Sequence, residues 1–311
     1  MANTAARSAG TGFHGGELAV QRRAGVQLQA ARLAPMVSRG ELRSGVAAFL
    51  AETTFAALTA RDRTGRLWTS PLLGAPGLLR PASSNTLWID TTLPDADPLS
   101  GLPDGQPVGL IAIDFGTRRR VRVNGFLASV GAGGLMVDVE QAYGNCPQYI
   151  QQRRLHIGSP PPDTSRSRLF SGEALRPEDN ALVRAADTFF LGTTHPDYGN
   201  DASHRGGPAG FVRIAHDYLW WPDYPGNNMF NSFGNLAVDP AAALLFVDFP
   251  SSTVLQLSGT ASVLWGVPAV GDDAHTGRRV KFIPQQVITT TLHSVSETDH
   301  VPYPHNPLLT S

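Results

Sequence analysis

The chain is almost without lysine. Lys281 stands alone, and the other 24 of its 25 basic residues are arginine. Arginine's planar fork is the better holder of phosphate, but a genome-wide codon bias gives the same count, and the bias is the simpler reading. Charge is scarce altogether, at 16% of residues with a net charge of −1, so no nucleic-acid partner is expected. With Cys146 as the single cysteine, no disulfide can form within the chain, and a reducing cytoplasm is the expected home. No apolar run reaches the length of a membrane span, so no membrane partner is expected either. The stretch Met1 to Gly12 is small and polar, without the apolar centre of a secretory leader.

What is present points to a folded, mainly β chain. Its 311 residues suit two domains of moderate size, and 41% hydrophobic residues can fill their cores. Glycine (32) and proline (24) are frequent, which favours many short strands and turns over long helices.

The sequence also repeats itself once. Val108–Phe115 resembles Ala242–Phe249, and Val121–Ser129 resembles Leu255–Val263. Gly125 and Gly259 lie 134 residues apart, as do Asp114 and Asp248, Phe55 and Phe189, and Thr54 and Thr188. Each copy reads as strands: a short β-prone run (55–59 and 189–193), a buried apolar run (110–115 and 244–249), then an alternating strand. In the alternating strand Arg120, Arg122 and Asn124 share one face, with Val121 and Val123 on the other. Helical pattern is confined to Gly16–Arg32, a stretch near Gln148–Arg154, and Pro177–Thr188. The expected organisation is an N-terminal helical extension (1–40), a first barrel (41–158), a Pro/Ser/Arg-rich linker (159–175) and a second barrel with a C-terminal tail (176–311).

Six segments carry a family resemblance: Phe13–Glu17 with Gln21, Arg118–Gly125, Tyr143–Gln151, Ser203–Phe211, Pro222–Leu236 and Leu255–Gly259. In these the chain resembles two-barrel members of the pyridoxamine 5′-phosphate oxidase-like, FMN-binding split-barrel superfamily. The resemblance implies two tandem split β-barrels related by internal duplication, and FMN as cofactor, with FAD, a deazaflavin or haem as alternatives. It also implies a flavin-dependent oxidoreductase acting on a small molecule. The other reading is a module that carries or senses flavin or haem without catalysis. Electrons would come from outside, from NAD(P)H or a reductase, because nothing here is long enough for the reductase and ferredoxin domains of some longer relatives. The chain ends Asn306–Ser311 without the Arg-Leu-Xaa-Pro signature of the true oxidase, so pyridoxamine phosphate is not the expected substrate. Single-barrel relatives form two-fold dimers, so an internal pseudo-dimer is expected, with a homodimer of chains open in addition.

FMN presents a dianionic phosphate, a polyol and an apolar ring, which call for Arg or backbone N–H groups, for Asn or Ser, and for an apolar wall. Ser203, His204 and Arg205 offer donors before Gly206 and Gly207, which let backbone approach closely. A glycine turn with exposed polar tips is the structural alternative. Asn227, Asn228, Asn231 and Asn235 form an amide cluster, and if Met229–Leu236 is helical the last three share a face. N-capping and Asx turns could account for the first two. The resemblance assigns Arg120 and Arg122 to phosphate, with a solvated strand face as the alternative; in the second copy Val254 and Gln256 take their places. The expectation is one site per chain, built mainly from the second copy with a wall from the first or from a neighbouring chain.

No catalytic residue is identifiable. Cys146 lacks an evident base and reads as structural. His14 and Glu17 read as a polar helix start rather than half a metal site, so no metal is expected. Trp68, Trp220 and Trp221 read as aromatic core.

Overall fold

The computed structural model describes residues 12–37, 40–131, 133–158, 168–268, 273–292 and 295–309. Four helices open the described chain: α1 (Gly15–Ala24), α2 (Gln27–Ala31), α3 (Ala34–Val37) and α4 (Ser44–Glu52). Seven strands follow: β1 (Phe55–Arg61), β2 (Leu67–Leu73), β3 (Leu79–Pro81), β4 (Thr86–Ile89), β5 (Pro107–Asp114), β6 (Arg119–Gly131) and β7 (Gly134–Asn145). Next come β8 (Gln152–Ile157), β9 (Arg168–Gly172) and α5 (Pro177–Ala185). The second half holds β10 (Thr188–His195), β11 (Gly199–Gly206), β12 (Arg213–Ile214), β13 (Leu219–Pro222), α6 (Asn231–Leu236), β14 (Ala241–Asp248), β15 (Thr253–Trp265), β16 (Arg278–Thr291) and β17 (Val295–Val301).

The two halves build one topology twice. The first sheet runs β2-β1-β5-β6-β7-β4-β3, and the second runs β11-β10-β14-β15-β16-β13-β12. Position for position these are the same order. Each sheet curls around its own apolar core, the first holding Leu58, Trp68, Leu110 and Val123, the second Leu191, Trp221, Leu244 and Leu257. Both long strands carry a bulge at the matching glycine, Gly125 and Gly259. A Cβ there would strike the backbone carbonyl of Asp138 or Ile283, so the residue type follows from the close approach of two backbones.

The strand register corrects the alignment. An offset of 134 holds across β5 and β6, where Val108 faces Gly125 and Ala242 faces Gly259. Across β1 and β2 it slips to 133: Ala57 pairs with Pro71 and Ile111, as Phe190 pairs with His204 and Leu245. Phe55 and Phe189 are therefore not equivalents. A one-residue slip turns a strand's side chains over, and indeed Phe55 faces the other barrel while Phe189 lies in its own core. Ser203-His204-Arg205 likewise corresponds to Ser70-Pro71-Leu72, not to Thr69-Ser70-Pro71.

The barrels touch face to face. Strand β11 lies against β5 and β6, and β2 lies against β14 and β15, as a pseudo-two-fold axis requires. Phe55, Phe115, Phe190 and Phe249 interlock at this face with ring centroids 5.3–5.8 Å apart. All four are essentially fully buried, each worth about 1.5–3 kcal/mol of burial. The Arg153 guanidinium sits over the Phe115 and Phe249 rings at 5.4 Å from each, paired to Asp187 and Glu297.

Other expectations shift at the element level. Gln148–Arg154 is not helical: Pro147 precedes a turn, Tyr149 has φ 63, and residues from Gln152 onward form β8, which pairs with β17. The helical pattern over Gly16–Arg32 is cut at Gly25, a left-handed C-cap. Within the expected linker, residues 159–167 lie outside the described residues, while Arg168–Gly172 forms β9 on the edge of β16. Among the described residues no helix is long and apolar enough to cross a membrane.

Candidate functional site

Between the barrels, where β6 and β7 of the first meet β11, β13 and α6 of the second, lies a cavity of about 1010 Å³ including its mouth. Arg120 and Arg122 reach it from β6, which places their face at the inter-barrel surface and not in bulk solvent. Ser203, His204, Arg205 and Gly206 reach it from β11. This segment is a buried strand, not the loop the glycines suggested, because β10 pairs with it along its full length. Gly207 lies just outside the lining; a Cβ there would press on Phe211 and Tyr224 at 2.7 and 2.8 Å.

The amide cluster divides. Helix α6 starts only at Asn231, after Asn228 and Phe230 adopt left-handed backbone at φ 61 and 60. Asn227, Asn228 and Asn231 line the cavity, with Asn227 also holding the turn by accepting from the Met229 N–H at 3.1 Å. Asn235 lies outside it. Its amide donates to Thr193 Oγ1 at 3.0 Å and its oxygen contacts His14 Nε2 at 3.0 Å, so its role is to hold helix α1 on the barrel.

The electrostatics are lopsided toward positive charge. Arg122 is 6% exposed; its Nη1 meets Asp201 Oδ1 at 2.9 Å and its Nη2 donates to Ser203 Oγ at 2.7 Å. It also donates to Tyr143 Oη and Asn231 Oδ1, each at 3.2 Å. Burial pulls this guanidinium down, but Asp201 and then Tyr143 outweigh burial and hold it above its ordinary value. Burial pushes the Asp201 carboxyl up in turn. Arg120 has no such carboxylate. Burial, and then Arg122 and Arg205, pull it down to about 9. Its Nη1 lies 2.7 Å from His204 Nδ1. A guanidinium only donates, so that nitrogen accepts and the His204 proton resides on Nε2. Burial, then Arg120, Arg153 and Arg205, hold His204 well below its usual range, consistent with a neutral ring. Its Nε2–H has no hydrogen-bond partner among the described residues.

Burial pulls the Arg205 guanidinium down, and Asp223 and Asp201 offset this only from a distance. That guanidinium makes no hydrogen bond or ion pair among the described residues, its Nε is buried without a partner, and it lies over the Phe233 ring at 5.9 Å. Arg278 completes the group, pairing with Asp223 at 2.8 Å beneath Phe230. Four guanidiniums thus face two directly paired carboxylates, Asp201 and Asp223, which leaves the site with a net positive charge. Six aromatic residues also line it: Tyr149, Phe211, Trp221, Tyr224, Phe230 and Phe233. Trp68 is core, while Trp220 lies between Arg213 and Arg279. Cys146 lines the cavity beside Arg120.

Sequence reasoning missed Asp201, the counter-charge of Arg122, and Arg278. Neither sits in a pattern that reveals it, because both come into place through the pairing of distant strands. It also assigned Glu17 no part in the site. Glu17 is N3 of α1 and closes a capping box with His14, as a polar helix start would. Yet the residue is only 4% exposed, and its carboxyl also accepts from the Asn231 amide. Gly16 and Gly234 let α1 and α6 approach backbone to backbone, which buries that carboxyl against the site.

At the pseudo-equivalent position the cavity's cations are gone. Arg120, Arg122, His204 and Arg205 correspond to Val254, Gln256, Pro71 and Leu72. Gln256 is fully buried and donates to Ser70 Oγ at 2.9 Å and to the Thr69 carbonyl at 3.1 Å, while Ser70 donates to Asp97 at 2.6 Å. The Arg122–Ser203 bond of one side thus has Gln256–Ser70 as its neutral counterpart.

Fold and site together define a two-barrel protein with a cationic, aromatic-lined cavity between its barrels. Residues 175–289, most of the second barrel, match the model of the pyridoxamine 5′-phosphate oxidase family. The match covers little more than a third of the chain and supports the split-barrel superfamily for the second barrel, whose strand order the first barrel repeats. No curated protein sequence matches it. Among solved structures it is similar to a protein of Clostridium acetobutylicum related to general stress protein 26 of B. subtilis, with 14% identity over 39% of this chain and 92% of that one, at TM-score 0.29. It is similar also to HutZ, the heme storage protein of Vibrio cholerae, with 13% identity over 39% and 96% at TM-score 0.29. A third is an FAD binding protein of Mycobacterium smegmatis, with 10% identity over 40% and 99% at TM-score 0.27. Each likeness spans about one barrel of this chain, and at such distance a shared ligand does not follow.

Proposed function

We propose that the chain binds FMN in the inter-barrel cavity and serves as a flavin-dependent oxidoreductase on a small molecule, with electrons delivered by an external donor such as NAD(P)H or a reductase. The observation that carries this reading is the unpaired Arg205 guanidinium beside Arg120 and Arg122 in an aromatic-lined cavity. The net positive charge suits a phosphate dianion. Arg120, Arg122, Arg205 and Ser203 would hold the phosphate, Asn227, Asn228 and Asn231 suit the polyol, and the aromatic lining suits the ring. The flavin supplies the redox chemistry when bound; the chain's residues bind it, orient it and exclude water. A second reading, haem carriage, draws on Cys146 and His204 in the same lining. The absorbance spectrum and the mass of the ligand released from freshly purified protein separate the two.

Arg205→Ala is expected to weaken FMN binding about ten-fold or more, the loss of one charge-assisted contact worth roughly 1.5–3 kcal/mol. Unchanged affinity in a fluorescence titration would remove Arg205 from the site. Titration of the parent is expected to saturate at one FMN per chain, because the mate position holds Val254, Gln256, Pro71 and Leu72 instead of cations. Two equal sites per chain would refute that asymmetry.

A further inference from the structure

We propose that Glu17 is a proton-linked positioning residue of the anion site, taking up a proton when a dianion binds beside Arg122. The inference rests on the cavity being an anion site, but not on the anion belonging to a flavin.

The geometry is a short chain of contacts from helix α1 to the cavity. The Glu17 carboxyl accepts from the His14 backbone N–H at 2.8 Å and from the Asn231 side-chain amide. Asn231 in turn accepts from Arg122, which faces the cavity. Glu17 thereby fixes which way the Asn231 amide points: its N–H group toward the carboxylate, its oxygen toward the guanidinium. The backbone contact of Gly16 on Gly234 encloses the Glu17 carboxyl, while Asn231 is half-buried and lines the cavity, so it links the carboxyl to the site.

Every charged or titratable group around Glu17 bears on its proton. On its own segment His14 lies 3.6 Å away, held down to about 4 by burial and by His195 behind it, and is therefore neutral at pH 7. From β6 Arg122 favours the carboxylate, and from β11 Asp201 opposes it; Tyr143 on β7 hydrogen-bonds Arg122. Burial dominates, and the Glu17 carboxyl is pushed up to about 7. It is then about half protonated at neutral pH. A dianion at Arg122 cancels the one cationic field that favours the Glu17 carboxylate, and adds a negative one. The carboxyl then takes up part of the remaining half proton.

Isothermal titration calorimetry in buffers of different ionisation enthalpy measures this directly. Sulfate is the first probe, being a dianion from pH 5 to 8 without titration of its own, and FMN is the second. We expect a measurable uptake, at most about half a proton per sulfate, at pH 7 and almost none at pH 5, where Glu17 is already protonated. Glu17→Gln should bind sulfate with the uptake at pH 7 removed; Asp201 as the proton acceptor would instead leave that uptake in place and overturn the proposal. The parent's own pH dependence decides the matter should the variant fold poorly. Binding of sulfate or FMN with equal proton uptake at pH 5 and 7 overturns the role of Glu17 while the anion site stands. Sulfate bound with the expected uptake but FMN not bound sinks the flavin reading and leaves Glu17's role intact. Binding of neither probe overturns both.

Discussion

Arg122→Met is expected to destabilise the chain by about 3–5 kcal/mol and to abolish binding of anionic ligands at the cavity. Arg122 and Asp201 are 6% and 3% exposed and meet at 2.9 Å. Removing one member of a buried pair strands the other's charge, which costs far more than the pair itself contributed. The other partners of Asp201 are weak: the Asn124 amide and the Ser232 hydroxyl, each at 3.4 Å. Ser203 and Tyr143 lose a donor as well. The double variant Arg122→Met, Asp201→Leu should recover most of the lost stability, because an apolar pair of similar volume is often no worse than a buried ion pair. It should not recover binding, since the cation is gone. Urea unfolding midpoints together with an FMN titration separate the two effects. A single variant within about 1 kcal/mol of the parent would mean that Asp201 is already protonated, and that the pair is a hydrogen bond between unlike partners.

The same pair shows what could be read from the sequence and what could not. Arg122 was legible because β6 alternates, and alternation puts every second side chain on one face whatever the tertiary context. Which medium that face meets is not a local property. It became the inter-barrel surface only because β11 lies against β5 and β6. The repeat was legible for a related reason: β5 is a buried apolar run and β6 alternates, and both keep a 134-residue offset to β14 and β15 in their pairing. One residue of slip entered before β5. Composition is blind to a slip of that kind, although register reverses with it, and so Phe55 was matched with a residue of opposite orientation. In the Ser203–Gly207 segment the turn was only the alternative, and Gly206 sits in the strand, where Tyr149 passes so close that a Cβ would meet its carbonyl. Glycine marks close approach as readily as it marks a turn. Asn235 shows the limit of reading faces from spacing: it lies on α6 with Asn231, but the N-terminal helix, more than two hundred residues away in sequence, claims it through His14.

That N-terminal helix is expected to give the protein two opposed pH dependences of similar size. His14 is held down to about 4 and Glu17 pushed up to about 7, against ordinary values of 6.5 and 4.5. For His14 the unfolded chain binds a proton below 6.5 and the folded chain only below about 4. The unfolded state therefore gains protons in that window, and stability falls as pH drops through it. For Glu17 the folded chain holds the proton up to about 7 and the unfolded chain only to 4.5. Stability contributed by this group therefore falls as pH rises from 4.5 to 7. Each shift is worth about 3 kcal/mol, at about 1.4 kcal/mol per pH unit, so in the parent the two slopes oppose each other between pH 4.5 and 6.5. Removing one exposes the other. The stability of Glu17→Gln relative to the parent should improve by about 3 kcal/mol between pH 4.5 and 7. The stability of His14→Asn relative to the parent should improve by a similar amount as pH falls from 6.5 to 4. Differences from the parent are the quantity to follow in denaturant unfolding, since titrations common to both proteins cancel in them, and a lost hydrogen bond appears only as a constant offset. Flat differences across both windows would show that His14 and Glu17 titrate at their ordinary values, and that the joint between α1 and α6 is open to water.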